Sequence, residues 1–204
     1  LGFCPGIRTL FKEIQQLEPG TAAVITKSGL RTWSYFQPRY QPDSSIKTIE
    51  DAADLLRPTL ESTIINRTVS DVPLAVLLSG GIDSSAVAAI VAANSIRPIK
   101  TFNVRFEDQT YDESPIAREV AQHIGAEHHE ITIPNAGFSE EHLSRIVDHV
   151  GQPFHDSSAI PTYLVSEEVQ KHVKVCLSGD GGDEMFAGYP IYDWAATVRK
   201  LGQL

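Results

Sequence analysis

The sequence has little basic charge for its length: 17 Lys and Arg stand against 26 Asp and Glu over 204 residues, giving a formal net charge of −9. Nonspecific nucleic-acid binding needs clustered Lys and Arg, so no nucleic-acid partner is expected. The sequence also lacks an apolar run of the roughly 18 residues that a membrane-spanning helix needs, so no membrane association is expected. Only two cysteines are present, Cys4 and Cys176, which favours free thiols and a reducing cytoplasmic location.

Two common catalytic motifs are also missing. No Lys follows a Gly, which excludes the GxxxxGK[ST] nucleotide-binding loop, and no GxSxG segment provides a serine-hydrolase elbow. The seven histidines do not form a recognisable metal-ligand pattern. His128 and His129 alternate across a predicted strand, and nothing near His142 and His149 completes a ligand set. His155, in the segment PFHDSS, remains a candidate substrate contact.

The sequence does contain a regular succession of apolar strands and helices. From Leu74 onward the strands show no polar alternation, which is typical of a parallel sheet buried on both faces. Strands are predicted near 74–79, 99–106, 128–133 and 173–178, and helices at 84–94, 112–125, 139–151 and 157–173. The predicted fold class is therefore α/β, a parallel sheet with helices on both faces and right-handed crossovers.

The N-terminal part follows a different pattern. Residues 1–40 are typical of a short β-strand pair, which is too small to be stable alone, and residues 41–45 are typical of a linker. A helix is predicted after Thr48, which can form a capping box with Asp51. Pro58 is expected to bend or break that helix.

The segment SGGIDSS follows the first apolar strand of the sheet. Gly80 and Gly81 allow the backbone to turn with positive φ and to approach a ligand closely. Their amides, with those of the next helix, favour an anion such as phosphate, and Ser79 and Ser84 add hydroxyl donors. The Asp83 carboxylate would repel phosphate unless a divalent cation lay between them, which favours Mg²⁺ with a polyphosphate. The alternative is a simple glycine turn in which Asp83 caps a helix.

A second glycine- and acid-rich segment, LSGDGGDEMFAGY, follows the last apolar strand. It carries Asp180, Asp183 and Glu184. Because ligands bind beyond the carboxyl ends of parallel strands, the two loops are expected to form one crevice. Carboxylates gathered there would raise one another's pKa without a cation, so we expect Mg²⁺ and a nucleotide. The alternative is a solvated turn.

These motifs resemble a known family. SGGIDSS resembles the pyrophosphate loop of the ATP pyrophosphatases, whose fold is adenine nucleotide alpha hydrolase-like. Together with FNVRFEDQTYDESPIAREVAQHIGAEHHEI, PFHDSSAIPTYLVS and LSGDGGDEMFAGY, it is similar to the synthetase domain of the glutamine-hydrolysing asparagine synthetase family. The resemblance covers residues 46–204, while residues 1–40 resemble the last strands of that family's glutaminase domain.

The resemblance implies an ATP-dependent reaction in which the side-chain carboxylate of aspartate is adenylated and ammonia from glutamine then gives asparagine. It implies ATP and Mg²⁺ as cofactors, and catalytic roles for Asp83, Asp180 and Asp183. Asp83 and Asp183 would bind Mg²⁺, and Asp180, at a position where many members have Glu, would serve the acyl-adenylate step. The residues implied in nucleotide binding are Leu77, Ser79, Gly80, Gly81, Asp83, Ser84, Val104, Ser178 and Gly179.

Some of the family's parts are not found in this sequence. The glutaminase uses an N-terminal cysteine, whereas residue 1 is Leu, and Cys4 lies in a segment that resembles the end of that domain. The family's C-terminal helical portion carries a lysine, and the sequence ends at Leu204 before it. The chain is therefore expected to be truncated at its C-terminus and inactive alone.

Several functions remain open at this point. The leading one is amide synthesis on aspartate or a related carboxylate, in a possible homodimer. A close alternative is an adenylating amidotransferase, or an enzyme like the β-lactam synthetases, that acts on another carboxylate. A further alternative is a nucleotide-binding module without catalysis.

Overall fold

The computed structural model describes Cys4 and residues 6–39, 41–106, 112–133, 139–151, 156 and 158–201. The chain divides into two units: Leu1–Ala52 with Ser139–Pro161, and Ala53–Phe138 with Thr162–Leu204. The domain boundaries predicted at 1–40 and 46–204 remain a prediction. The elements are, in order, β1 (Thr21–Thr26), β2 (Gly29–Ser34), α1 (Ile49–Asn66), β3 (Leu74–Leu77), α2 (Ile82–Ala93), β4 (Lys100–Phe106), α3 (Ser114–His123), β5 (Glu127–Ile133), α4 (Glu140–Val150), α5 (Ala159–Val169), β6 (Val175–Leu177), α6 (Gly182–Phe186) and α7 (Pro190–Leu201).

The first unit contains the predicted strand pair. β1 and β2 run antiparallel, with Thr26 opposite Gly29 across a two-residue turn. Helix α4, also in this unit, begins with a capping box: the His142 amide donates to the Ser139 hydroxyl, and the His142 ring accepts from the Ser139 amide. Gly151 ends the helix in the left-handed conformation, with φ of 79°. The predicted helix over residues 139–151 is therefore confirmed.

The second unit is built on a four-stranded sheet in the order β5-β4-β3-β6. All neighbouring strands are parallel, as predicted. β3 lies between β4 and β6: Leu77 pairs with Phe102 on one side, and Val76 pairs with Leu177 on the other. Two strands that are about 100 residues apart in the sequence therefore end side by side, which is the order expected when long crossover connections join parallel strands.

Helices cover both faces of this sheet, which confirms the predicted fold class. On one face, Val76 and Leu78 pack with buried residues of α1, α2 and α3. On the other face, Ala75 and Phe102 pack with Val169 of α5. The apolar run of β3 has no polar alternation because each of its faces is buried in a core of its own.

The structure differs from the sequence-based prediction in three elements. Helix α1 continues through Pro58, which was expected to bend or break it. The proline leaves the carbonyl of Asp54 without its helical partner, but Asp54 is exposed, so water can bond that carbonyl. Helix α5 ends at Val169 rather than near 173, and β6 is only three residues long.

Helices α6 and α7 were not predicted. Helix α6 has five residues, fewer than a periodic pattern needs, and two of its residues are acidic. Helix α7 begins at Pro190, and its Ile191, Trp194 and Val198 recur at helical spacing, a signal that the sequence-based prediction did not use. Within the described residues, none of the helices combines the length and the apolar character needed to cross a bilayer.

The core prediction concerns Phe102, whose side chain is 1% exposed and stacks on the His129 ring at 5.0 Å between centroids. We expect Phe102→Ala to lower the free energy of unfolding by about 3–5 kcal/mol, because it leaves a cavity between the sheet and α5. Ile96→Ala is the control: Ile96 is fully exposed after α2, and its change should stay within about 0.5 kcal/mol. Urea unfolding of both variants measures the difference, and a similar loss for both would contradict this account of the core.

A second prediction concerns the pH dependence of stability. His128 accepts or donates a hydrogen bond at Nδ1 with the Thr101 hydroxyl at 2.8 Å, and burial lowers the pKa of its ring. The unfolded chain therefore takes up the proton more readily, so stability is full above the ordinary pKa of about 6.5 and falls as the pH drops below it. Stability stops falling once the pH is below the lowered pKa of His128 in the folded state.

We expect His128→Gln to flatten the free energy of unfolding between about pH 7.5 and 5.5, because glutamine does not titrate. Arg118 lowers the pKa of the neighbouring Glu130, so that carboxylate titrates at more acidic pH and does not obscure the window. His123→Gln, at the exposed end of α3, is the control and should keep the slope of the parent chain. Urea unfolding at several pH values checks this; an unchanged slope in His128→Gln would contradict it.

Candidate functional site

The two glycine- and acid-rich loops lie at the same edge of the sheet. The first runs from Leu78 to the start of α2, and the second runs from Ser178 to the start of α6. They follow β3 and β6, which are neighbours and parallel, so both loops leave the carboxyl edge side by side. We call them the first loop and the second loop.

The first loop is held by its own serines. The Ser79 and Ser84 hydroxyls lie 2.9 Å apart, the Gly81 amide donates to the Ser79 hydroxyl at 3.2 Å, and the Ser79 amide donates to the Ser84 hydroxyl at 3.3 Å. Ser84 is 6% exposed, so its hydroxyl serves mainly to shape the loop. Gly81 is the N-cap of α2 and has no side-chain cap, which leaves the first amides of this helix for solvent or an anion.

Gly80 is the point at which the first loop touches helix α3. Its φ is 99°, a left-handed conformation that favours glycine. A Cβ at this position would lie 2.9 Å from the carbonyl oxygen of Glu113 and 3.1 Å from the amide nitrogen of Ala117. Glycine is therefore required here by both the backbone conformation and the close approach of α3.

The second loop carries the remaining acids. The Ser178 hydroxyl donates to the Asp180 carboxylate at 2.8 Å, and Asp180 is exposed. Asp183 lies in the first turn of α6, and its carboxylate lies against Gly188. The Tyr189 hydroxyl donates to Glu184 at 3.1 Å, and this bond raises the pKa of the Tyr189 phenol because the carboxylate disfavours a second negative charge.

The two loops are in direct contact through two glycines of the second loop. A Cβ on Gly179 would lie 2.8 Å from the Ser84 amide nitrogen and 3.1 Å from the Asp83 Cβ. A Cβ on Gly182 would collide with the Asp83 carboxylate. Asp83 therefore lies between the loops, and its carboxylate lies beside the residue that precedes Asp183.

This arrangement fits a divalent cation that takes most of its ligands from a nucleotide. Among the residues that the structure describes, no three His, Cys, Asp or Glu side chains form a metal-binding group. Mg²⁺ is usually bound by one or two carboxylates plus phosphate oxygens and waters, rather than by an all-protein cage. One carboxylate from each loop, Asp83 and Asp183, is a donor set of that kind. Their role as ligands remains a prediction.

Two of the residues predicted to line an adenosine site lie on the face of the sheet that α5 covers, while the other two, Ser178 and Gly179, lie in the second loop. Leu77, at the end of β3, and Val104, on β4, belong to the same apolar cluster. Cys176 belongs to it too, and burial raises the pKa of its thiol, which fits a core residue rather than a nucleophile. Both Cys176 and Cys4 are free. The adenosine contacts of Leu77 and Val104 remain predictions.

Some residues beside the site were not singled out from the sequence. Asn103 donates to the Leu78 carbonyl at 2.9 Å, at the point where the first loop begins, and it accepts from Ser114 at 2.7 Å. Asn103 is one of several polar residues in β4, so the sequence alone reveals neither its burial nor its partner. The candidate residue His155 lies outside the described residues.

The fold and the site together define a class of protein. It is an α/β domain with two adjoining glycine- and acid-rich loops at the carboxyl edge of its sheet. Residues 55–203 match the family model described as Asparagine synthase. This match covers most of the chain, so the chain belongs to the asparagine synthase family, and the resemblance noted in the sequence is confirmed.

Curated relatives agree with this assignment. Glutamine-hydrolysing asparagine synthetase 1 of Bacillus subtilis is 38% identical over 205 residues, covering 99% of this chain and 32% of the relative. Asparagine synthetase 2 of Oryza sativa is 34% identical, covering 90% of this chain and 32% of the relative. The chain thus spans about a third of the length of these relatives. Among solved structures, an NMN synthetase from Francisella tularensis is 17% identical with a TM-score of 0.42, covering 71% of this chain and 59% of that one, a likeness too weak to carry an argument.

The neighbouring glycines of the first loop offer a matched test of its geometry. We expect Gly80→Ala to lower the free energy of unfolding by about 1–3 kcal/mol, because alanine is strained at this φ and its Cβ would press on α3. Gly81→Ala should change it by less than about 1 kcal/mol, since φ there is −68° and the added Cβ would meet only the Ser79 hydroxyl at 3.4 Å. Urea unfolding measures both; equal losses would show that α3 does not constrain the loop.

Proposed function

We propose that this chain binds Mg²⁺–ATP and belongs to an ATP-dependent ligase that makes asparagine from aspartate and ammonia released from glutamine. The observation that carries the proposal is the position of Asp83, whose carboxylate lies against Gly182 where the two loops meet. A fold gains nothing from gathering several carboxylates around two glycine turns, whereas a polyphosphate and its cation require both features.

The first loop holds the pyrophosphate part of the nucleotide. The amides of Gly80 and of the start of α2 donate to its oxygens, and Ser79 adds a hydroxyl, while the Gly81 amide shapes the loop through its bond to Ser79. Ser84 contributes mainly by holding the loop in shape, because its own hydroxyl is already bonded to Ser79 and to the Gly81 carbonyl. Mg²⁺, held by Asp83 and Asp183, would neutralise the charge that leaves with pyrophosphate.

The apolar residues beside the loops hold the other end of the nucleotide. Leu77 and Val104, which are half-buried at the edge of an apolar cluster, would contact the adenine ring, and the backbone of Ser178 and Gly179 would bond the adenosine polar atoms. In this arrangement the α-phosphorus would lie between the two loops. The carboxylate of the substrate attacks that phosphorus, pyrophosphate leaves, and ammonia then displaces AMP from the acyl group.

The proposed reaction requires the protein to position the reactants and to neutralise charge, and it does not require a nucleophile from the protein. This agrees with a site whose functional side chains are carboxylates and hydroxyls. Asp180 is assigned to the acyl-adenylate step by the family resemblance, and its exposed carboxylate accepts a hydrogen bond from the Ser178 hydroxyl. Aspartate as the carboxylate substrate rests on the family alone, since no described residue distinguishes it from a related acid.

The test is an ATP–pyrophosphate exchange assay with aspartate on the natural gene product that contains this chain. We expect Asp83→Asn and Asp183→Asn each to lower exchange by at least roughly a hundredfold, because one charge of the Mg²⁺ site is lost while the shape of the side chain is kept. Glu119→Gln removes an exposed carboxylate on α3 and is the matched control, which should exchange at the rate of the parent.

Each outcome separates the candidate functions. Exchange that depends on another carboxylate but not on aspartate would favour a related adenylating amidotransferase. Binding of Mg²⁺–ATP without any exchange would favour a nucleotide-binding module. Unchanged exchange in Asp83→Asn, with the circular dichroism spectrum of the parent, would refute the proposed metal role.

A further inference from the structure

We propose that Asn103 is a positioning residue for the first loop: it determines where β3 ends and therefore where Gly80, Gly81 and Asp83 stand. The proposal rests on the nucleotide-binding role proposed above for this loop. Asn103 lies on β4, contacts neither of the two loops' acids, and has no place in the proposed chemistry itself.

Asn103 continues the hydrogen bonding of β3 beyond the end of the strand. The paired ladder between β3 and β4 ends at Leu77 opposite Phe102, and the Leu78 amide donates once more, to the Phe102 carbonyl at 2.8 Å. The Leu78 carbonyl then accepts from the Asn103 side chain at 2.9 Å. A side chain therefore satisfies the last carbonyl before Ser79, and the backbone of the loop is free to leave the sheet at this point.

The side-chain amide of Asn103 is also held by a hydrogen bond at its oxygen. The Ser114 hydroxyl donates to its Oδ1 at 2.7 Å. A backbone carbonyl can only accept, so the bond to Leu78 requires the amide nitrogen on that side, and the oxygen must face Ser114. Asn103 is 3% exposed and Ser114 is 1% exposed, so water cannot replace either bond without opening the core.

Ser114 links the hydrogen bond between Asn103 and Leu78 to the place where the first loop contacts α3. It is the first residue of α3, and its amide donates to the Asp112 carboxylate at 3.0 Å. The same turn of α3 lies against Gly80, through the Glu113 carbonyl and the Ala117 amide. Asn103 thus ties the end of β3 to the helix that limits Gly80, and the loop is held on both sides of Ser79.

The same strand provides a matched control. Thr101 precedes Asn103 by two residues and faces the same side of the sheet. It is fully buried and bonds His128 of β5 at 2.8 Å, so it is a buried polar pair that does not bond the first loop. Asn103→Leu and Thr101→Val each replace a buried polar side chain with an apolar one of similar size.

The experiment compares these variants in the 204-residue chain by three measurements: urea unfolding, hydrogen exchange of the amides of residues 79–82 without nucleotide, and calorimetric titration with Mg²⁺–ATP. We expect both variants to lower the urea midpoint. Only Asn103→Leu should raise the exchange rates of the loop and weaken Mg²⁺–ATP binding, each by about tenfold or more, because only this variant releases the Leu78 carbonyl.

Ser114→Ala tests the pathway through Asn103. It should have the same two effects in weaker form, and the double variant Asn103→Leu/Ser114→Ala should be no worse than Asn103→Leu, because Ser114 acts through the amide. Asn103→Ala also removes the donor to Leu78 and adds no bulk, so it replaces Asn103→Leu if the leucine variant does not fold.

The outcomes distinguish this proposal from the function on which it rests. Unchanged loop exchange in both Asn103 variants, or an equal effect from Thr101→Val, would overturn the positioning role. Failure of the parent chain to bind Mg²⁺–ATP would instead count against the proposed function, and the exchange of residues 79–82 would still decide whether Asn103 positions the loop.

Discussion

The start of helix α2 packs so closely on the loop after β6 that this loop has no room for side chains at two positions. Gly179 lies against the Ser84 amide, and Gly182 lies against the Asp83 carboxylate. The contact exists because β3 and β6 are parallel neighbours and end together. This close approach brings Asp83, at the start of α2, beside the residue that precedes Asp183.

The same contact creates an electrostatic problem. Asp83 belongs to one loop, and Asp180, Asp183 and Glu184 belong to the other. Like charges at one edge of a sheet repel one another, and the chain as a whole is already acidic, with a net charge of −9. The divalent cation proposed above would offset this negative charge and would make a polyphosphate an acceptable ligand.

The sheet supplies the rigidity that such a site needs. Its central strands are buried on both faces, and the buried side chains that interrupt its apolar faces are hydrogen-bonded: Asn103 to Leu78 and Ser114, and Thr101 to His128. Polar groups at such positions cost free energy unless they are satisfied, so each pair specifies one arrangement of its neighbours. One pair joins two strands, and the other joins a strand end, a loop and a helix.

Much of this could be predicted from the sequence because the responsible signals are local. The apolar strand 74–79, the capping box of Thr48 and Asp51, and the two glycine-acid segments are each visible in a few consecutive residues. The same signals indicate a parallel sheet, and the rule that ligands bind beyond its carboxyl ends then places the two loops near each other. Helix α6 was not predicted because its five residues are too few to show a periodic pattern, whereas α7 does carry apolar residues at helical spacing that the prediction did not use.

By itself, therefore, the sequence determined the class of fold, the family and the residue types of the site. The tertiary structure alone decided which strands are neighbours, that Gly182 makes room for Asp83, and that Asn103 satisfies the carbonyl of Leu78. These contacts join residues that are from 25 to about 100 positions apart in the sequence. Strand order and packing determine which residues meet, and no local preference of the chain does so.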